Sequence, residues 1–332
     1  MLRIDIQDHP DPEWDERLLH SNFGTSNQIS EYGIDIKTRL KSKILFIKFY
    51  DEDKLVAQLL AAQSFRGRGR LANLFGWGFI YSAVSKASIF FPKHITWYSG
   101  PVIFNKSYTS KVSESLGNLL ISLKSSFYGS VHPLDADFVF PTKFNFQKVQ
   151  LSTFILDLKQ DLNVILKNTD KKSVQNNIKR SIERGVTVKQ IESKEDFVKY
   201  YELQRAFREK NQLRLYSKND LLEAFEQNKK NGNSITLLAI YKGEPVGGIN
   251  FASFNGYIME SGIARSEIDK EKILYSIDLL RWNIIEWGIK HNCRYYDLIG
   301  VKFKDRSAKE EGIFRNKRKW GGKLVHYHAF RG

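Results

Sequence analysis

Cysteine is almost missing from this chain: Cys293 is its one thiol among 332 residues. That excludes an intrachain disulfide framework and a Cys-based zinc site, and it fits a reducing compartment. Histidine is sparse too, at seven. His326 and His328 stand two apart and share a strand face, but no further ligand accompanies them, so no metal is expected. Cys293 opens an apolar stretch with no base in view, which argues against a nucleophile.

Long apolar runs are also lacking. The start, MLRIDIQDHPDPEWDERLL, is acidic and has no apolar segment of signal-peptide type. The nearest approach to a membrane span is LANLFGWGFIYSAVSKASIFF, residues 71 to 91, and Asn73, three serines and Lys86 interrupt it. It reads as a buried helix or a surface-facing arm, with membrane-surface contact as the alternative. The expectation is a cytoplasmic monomer, peripheral at most to the inner face of a membrane.

Acidic residues fall short of basic ones, 37 against 52, for a net charge of +15. The excess is uneven. Residues 1 to 150 hold 18 Lys and Arg against 14 Asp and Glu, and residues 151 to 332 hold 34 against 23. A basic second half raises the local concentration of polyanions, although a lysine-rich surface alone would look the same. The apolar fraction of 42% with 13% aromatic is that of a folded protein.

A repeated plan is present. KILFIKFYDEDKLVAQLLAAQ (43 to 63) and SITLLAIYKGEPVGGINFASF (234 to 254) each read as strand, charged turn, strand. Helical segments precede both. Asp11 before Pro12, and Ser193 before Glu195 and Asp196, mark helix starts. After each hairpin come strand, helix and strand: ITWYSGPVIF, SKVSESLGNLLISLKSSF and ADFVF in the first half; GYIMESGIA, KILYSIDLLRWNIIEWGIKH and CRYYDLIGV in the second. The matched order predicts an α/β protein of two tandem domains of N-acetyltransferase (GNAT) type, each a mixed, mostly antiparallel sheet flanked by helices. The predicted domains are 1–150 and 151–320, with 321–332 a last strand packing back across the boundary.

Four stretches, NNIKRSIERGVTV (176 to 188), WYSGPV (97 to 102), CRYYDLIGV (293 to 301) and GIFRNKRKWGG (312 to 322), resemble motifs of the Fem-type aminoacyltransferases. Their order along the chain is the family's. The absence of a long helical pair between 188 and 234 matches the compact, armless members. The resemblance implies an enzyme that moves an amino acid from aminoacyl-tRNA to an amine of a nucleotide-linked or lipid-linked cell-envelope precursor, with no cofactor beyond the charged tRNA. The ester is already activated, so positioning and a well-placed cation supply much of the acceleration.

On this resemblance Lys317 takes the place of the lysine that holds substrate or developing charge. Arg315 is expected near substrate, and Arg318 and Lys319 near tRNA. Trp320 with Gly321 and Gly322 reads as an aromatic plug and a turn. In the basic segment from Lys171, a helix would bring Lys172, Gln175 and Lys179 together, and Lys179 and Arg180 are the tRNA-facing candidates. Ser173 and Gln175 replace residues that are basic in the family. Arg214 and Tyr216, in EKNQLRLYS, fall near the family's acceptor-phosphate position. Phe140-Pro141 lacks the acid that relatives carry before the proline, Asp297 reads as a structural strand residue, and no general base is assigned.

Two other functions stay open. An acyl-CoA N-acyltransferase would need a glycine-rich pyrophosphate loop. The second half offers RSEIDKEKILYS there, without glycine and with three acids. A non-catalytic nucleic-acid or membrane-surface binder would need only the basic half and the 71 to 91 segment.

Overall fold

The computed structural model describes residues 1–40, 42–65, 93–135, 137–213 and 215–332. The expectations for 71–91 and for Arg214 lie outside the described residues. Two compact units divide the chain: Met1–Gln150 with His326–Gly332, and Leu151–Val325.

In the first unit, strands β1 (Arg3–Gln7), β2 (Lys43–Asp51), β3 (Lys54–Phe65), β4 (Lys93–Trp97) and β6 (Ser126–Ser130) lie side by side in that order. The two-residue β5 (Val102–Ile103) pairs with β3. Beside β6 lie residues Ala329, Phe330 and Arg331 from the end of the chain. The predicted hairpin forms with its turn at Glu52-Asp53. The helix α3 (Thr109–Ser122) joins β4 to β6 and makes them the parallel pair, as a strand–helix–strand crossover requires. Gly129 in β6 is obligatory, because a β-carbon there would fall 1.8 Å from the Trp97 indole.

Three expectations for this unit change. The strand foreseen over 95 to 104 breaks at Ser99, whose backbone is left-handed (φ +54°). The last strand of the crossover is Ser126–Ser130, not the ADFVF stretch; residues 137–140 are irregular and lodge Phe138 and Phe140 in the core. Their alternation imitates a strand because two aromatics two apart fill the core between irregular backbone. Helix α1 (Trp14–Leu19) starts after Glu13, while the Asp11 carboxylate accepts the Glu13 N–H and pairs with Arg17. Helix α2 (Ser30–Leu40) follows it.

The second unit orders its strands β7 (Gln147–Asp157), β12 (Tyr295–Asp297), β11 (Tyr257–Arg265), β10 (Glu244–Phe254), β9 (Ser234–Tyr241) and β8 (Thr187–Gln190). Only β11 and β12 run parallel among these neighbours. The helices are α4 (Leu162–Asn168), α5 (Asn176–Glu183), α6 (Lys194–Lys210), α7 (Lys218–Asn231), α8 (Glu267–Glu271), α9 (Ser276–Lys290) and α10 (Ala308–Arg318). Ser193 caps α6 through the Asp196 N–H, as its sequence position predicts.

Both faces of this sheet are covered, which is why β9 is a near-continuous apolar run. Ile235, Leu237 and Ala239 face the large core with α9, and Leu238 faces Leu203 of α6. The adjacent Gly247 and Gly248 of β10 let helices approach on opposite sides. A β-carbon at Gly247 would meet the Ser276 Oγ at 2.3 Å, and one at Gly248 the Tyr200 ring at 2.9 Å. Each unit is thus a mixed, mostly antiparallel sheet flanked by helices, built on the same hairpin–strand–helix–strand order.

Candidate active site

Helix α10 carries the basic run and is clamped at both ends. Ser307 and Glu310 form a reciprocal capping box at its start. Phe314 is buried against Phe154 with the Arg306 guanidinium 4.0 Å above its ring. After the helix Trp320, 1% exposed, plugs the core. Gly321 follows with φ +76°, where a β-carbon would stand 2.3 Å from the Asn168 carbonyl oxygen. Only glycine satisfies both the left-handed turn and that approach. The expected plug and turn are therefore what aim the helix.

That clamping places Lys317 against the end of β12. Its Nζ donates to the carbonyls of Ile299 (2.8 Å) and Gly300 (3.2 Å). These carbonyls are presented because the chain turns sharply at Ile299, whose φ is +49°. A β-branched residue resists that conformation. It is held there by its N–H, which donates to the Asp297 carboxylate at 2.7 Å. Asp297 is fully buried, also accepts from the hydroxyls of Thr153 and Tyr257, and has its pKa raised by burial. It works as a strand-end anchor, in keeping with its reading as a structural residue.

Beside Lys317 lies a buried network that sequence reading did not identify. Glu260 of β11 and Arg281 of α9 form a two-point ion pair at 2.8 and 2.9 Å. Both are buried, at 2% and 3% exposure. The Tyr296 hydroxyl donates to Glu260 at 2.8 Å, and Arg281 donates to the Asn316 Oδ1 at 2.6 Å. Burial opposes both charges, yet Arg281 holds the Glu260 carboxyl below its usual range and Glu260 raises the Arg281 pKa. A charged residue in the middle of an apolar helix, LLRWNII, and another in the middle of the strand YIMESG were the available signals. Two such residues avoid an unpaired buried charge only by meeting.

Lys317 itself is partly buried, and burial pulls its pKa down to about 8. Glu260 and Asp297 act in the opposite sense, and Arg281 reinforces burial.

The remaining basic residues separate. Arg315 is exposed and 3.7 Å from Glu311; two residues along a helix are about 160° apart around its axis, so Arg315 does not face the way Lys317 does. Arg318 is exposed. Lys319, expected to meet tRNA, is instead paired with the largely buried Asp278 at 3.0 Å, a carboxylate that also accepts from the Asn177 amide. Its charge satisfies a core-edge acid. Lys179 and Arg180 lie on the exposed face of α5, Lys179 within 3.7 Å of Glu183. Gln175 does not join Lys172 and Lys179 as a ligand: it sits in a π-helical turn, Lys171–Gln175, and its amide donates to the Leu166 carbonyl. Tyr216 lies between α6 and α7, with the Arg208 guanidinium 4.8 Å over its ring.

The N-terminus of α9 is where a pyrophosphate would rest in an acyl-CoA enzyme of this fold. Here the chain supplies its own anion. The fully buried Asp269 accepts the Ser276 N–H at 2.9 Å and pairs with Arg265. Cys293 is buried 3.5 Å from the Ser253 Oγ, and burial raises its pKa, which makes it a poor nucleophile.

Two units of this strand order, each with a parallel pair across a helix, define a tandem GNAT-like α/β protein. No family model and no curated protein matches the sequence. Among solved structures, the chain is similar to FemX, with a TM-score of 0.71 over 98% of this chain and 96% of that one, at 11% identity. It is similar to L-PGS from Bacillus licheniformis, with a TM-score of 0.61, 13% identity, and 98% and 93% of the two chains covered. A tandem GNAT protein from the clavulanic acid biosynthesis pathway gives 0.53, with 11% identity and 100% and 98% covered. These likenesses establish the fold over the whole chain.

Proposed function

We propose that this protein is an acyltransferase that joins an activated acyl group to an amine, and more narrowly an aminoacyltransferase. It would draw an amino acid from aminoacyl-tRNA and deliver it to an amine of a nucleotide-linked or lipid-linked envelope precursor. It would work in the cytoplasm and need no cofactor besides the charged tRNA. The observation that carries the reading is Lys317: a partly exposed amine fixed by two backbone carbonyls, beside a buried ion-pair network, at the sequence position where the Fem-type resemblance placed it. The fold shared with FemX supports the same class.

Of the residues foreseen as tRNA contacts, Lys179, Arg180 and Arg318 are exposed and offer their charges to a tRNA backbone. Lys319 is left out because Asp278 holds it. The Asp269 carboxylate at the start of α9 argues against a nucleotide pyrophosphate in the second unit. A second reading, transfer from acyl-CoA, is favoured by one observation. The first turn of α3 in the first unit carries no acidic side chain, so that helix start repels no phosphate.

The deciding experiment offers the purified chain charged tRNA and, separately, acetyl-CoA, each with an amine-bearing envelope precursor. Amide formation from charged tRNA is the expected result. Transfer from acetyl-CoA alone would replace the first reading with the second. Tight tRNA binding with no transfer from either donor would leave a nucleic-acid binder.

A further inference from the structure

The sequence assigns no general base, yet an amine nucleophile must lose a proton before it attacks. We infer that Lys317 is that proton acceptor, with its nitrogen held by the Ile299 and Gly300 carbonyls and its remaining vertex left for the acceptor ammonium. The inference rests on the reading that the reaction is acyl transfer to an amine.

Three observations carry it. The hydrogen-bond partners of Lys317 are neutral carbonyls, not a carboxylate. A neutral amine has two N–H bonds and one lone pair. Two carbonyl acceptors therefore take both hydrogens and leave the lone pair at the third vertex, and protonation adds a hydrogen there without breaking either bond. Second, the charges around it are committed elsewhere. Glu260 on β11 is bound by Arg281 of α9 and Tyr296 of β12, and Asp297 accepts three hydrogen bonds. On α10 itself Glu311 lies beside Arg306 and Arg315, and Arg318 is exposed. Third, the residue is partly exposed, so a substrate can reach it. Burial agrees with the geometry by lowering its pKa to about 8, which leaves a usable fraction of free base near neutral pH.

The step balances as follows. Lys317 takes one proton from the acceptor ammonium. The free amine attacks the ester carbon, and a C–N bond forms. As the C–O bond of the ester breaks, the protonated Lys317 gives its proton to the departing ribose oxygen, and the new amide nitrogen releases its surplus proton to water.

A permanent cation at this position would stabilise charge but could not accept a proton, and this separates the two roles. Lys317→Arg is expected to lose about 100-fold or more in turnover. Lys317→Ala is expected to regain part of it with added methylamine or ethylamine, the more so the more basic the amine. Trace acetylation of the wild-type protein with acetic anhydride between pH 7 and 11 should show Lys317 reacting with a midpoint near pH 8, well below ordinary lysines. Arginine-variant turnover within a few fold of wild type would overturn the proposal, as would Lys317 labelling like a surface lysine. Wild-type protein that transfers from no donor, with Lys317 still labelling near pH 8, would instead sink the acyl-transfer reading beneath it.

Discussion

At the scale of single residues, Lys317 and Lys319 stand two apart in one basic run and have opposite fates. Lys317 meets neutral carbonyls; Lys319 meets the Asp278 carboxylate. The difference has a consequence for stability. The Lys317 pKa lies below that of an unfolded lysine, so between about pH 8 and 10.5 the unfolded chain binds more protons than the folded one. Wild-type stability should therefore rise with pH across that window relative to Lys317→Met, and the gain should be absent below it. Urea denaturation of both proteins at pH 7.5, 9 and 10 checks this, and parallel curves would contradict it.

At the scale of elements, α9 links the site to the fold. Its body carries Arg281 into the ion pair with Glu260, while its start is closed by Asp269. The expected helix start near Lys272 is displaced to Ser276. Ile273 and Tyr275 adopt left-handed backbone, and the short α8 ahead of them brings the carboxylate back onto the Ser276 N–H. Asp269→Ala should remove that cap and leave the partly exposed Arg265 without its partner, at a loss of about 1–3 kcal/mol. Added phosphate or acetate should restore thermal stability to the variant more than to wild type, because the vacated helix start favours an anion. A variant as stable as wild type would show that Asp269 is not the anion the helix relies on.

At the scale of the whole molecule, the two units repeat one plan, and the first is completed by residues from the far end of the chain. The Val131 N–H donates to the His328 carbonyl, and the Phe127 N–H to the Gly332 carbonyl. Deleting residues 326–332 should therefore speed amide exchange in Ser126–Ser130 and lower the stability of the first unit. Exchange that stays slow in this strand after deletion would show that the terminal residues are dispensable to it.

How much of this was legible before folding varies with distance along the chain. The two hairpins, the Ser193 cap and the Trp-Gly-Gly turn were readable because their signals are local: alternation, a capping side chain, a residue free to turn left-handed. Lys317 stood out only through a family resemblance, since charge alone could not separate it from its neighbours. ADFVF was misread because the alternation of Phe138 and Phe140 reports burial, and burial does not require a strand.

By itself the sequence determined a basic, two-unit α/β chain with no intrachain disulfide, because composition and periodicity act over a few residues at a time. Only the tertiary structure decided which charges are spoken for. Glu260 finds Arg281 across 21 positions and Lys319 finds Asp278 across 41. The physical reason is that a buried charge must be matched by whatever the fold brings beside it, and no local pattern names that partner.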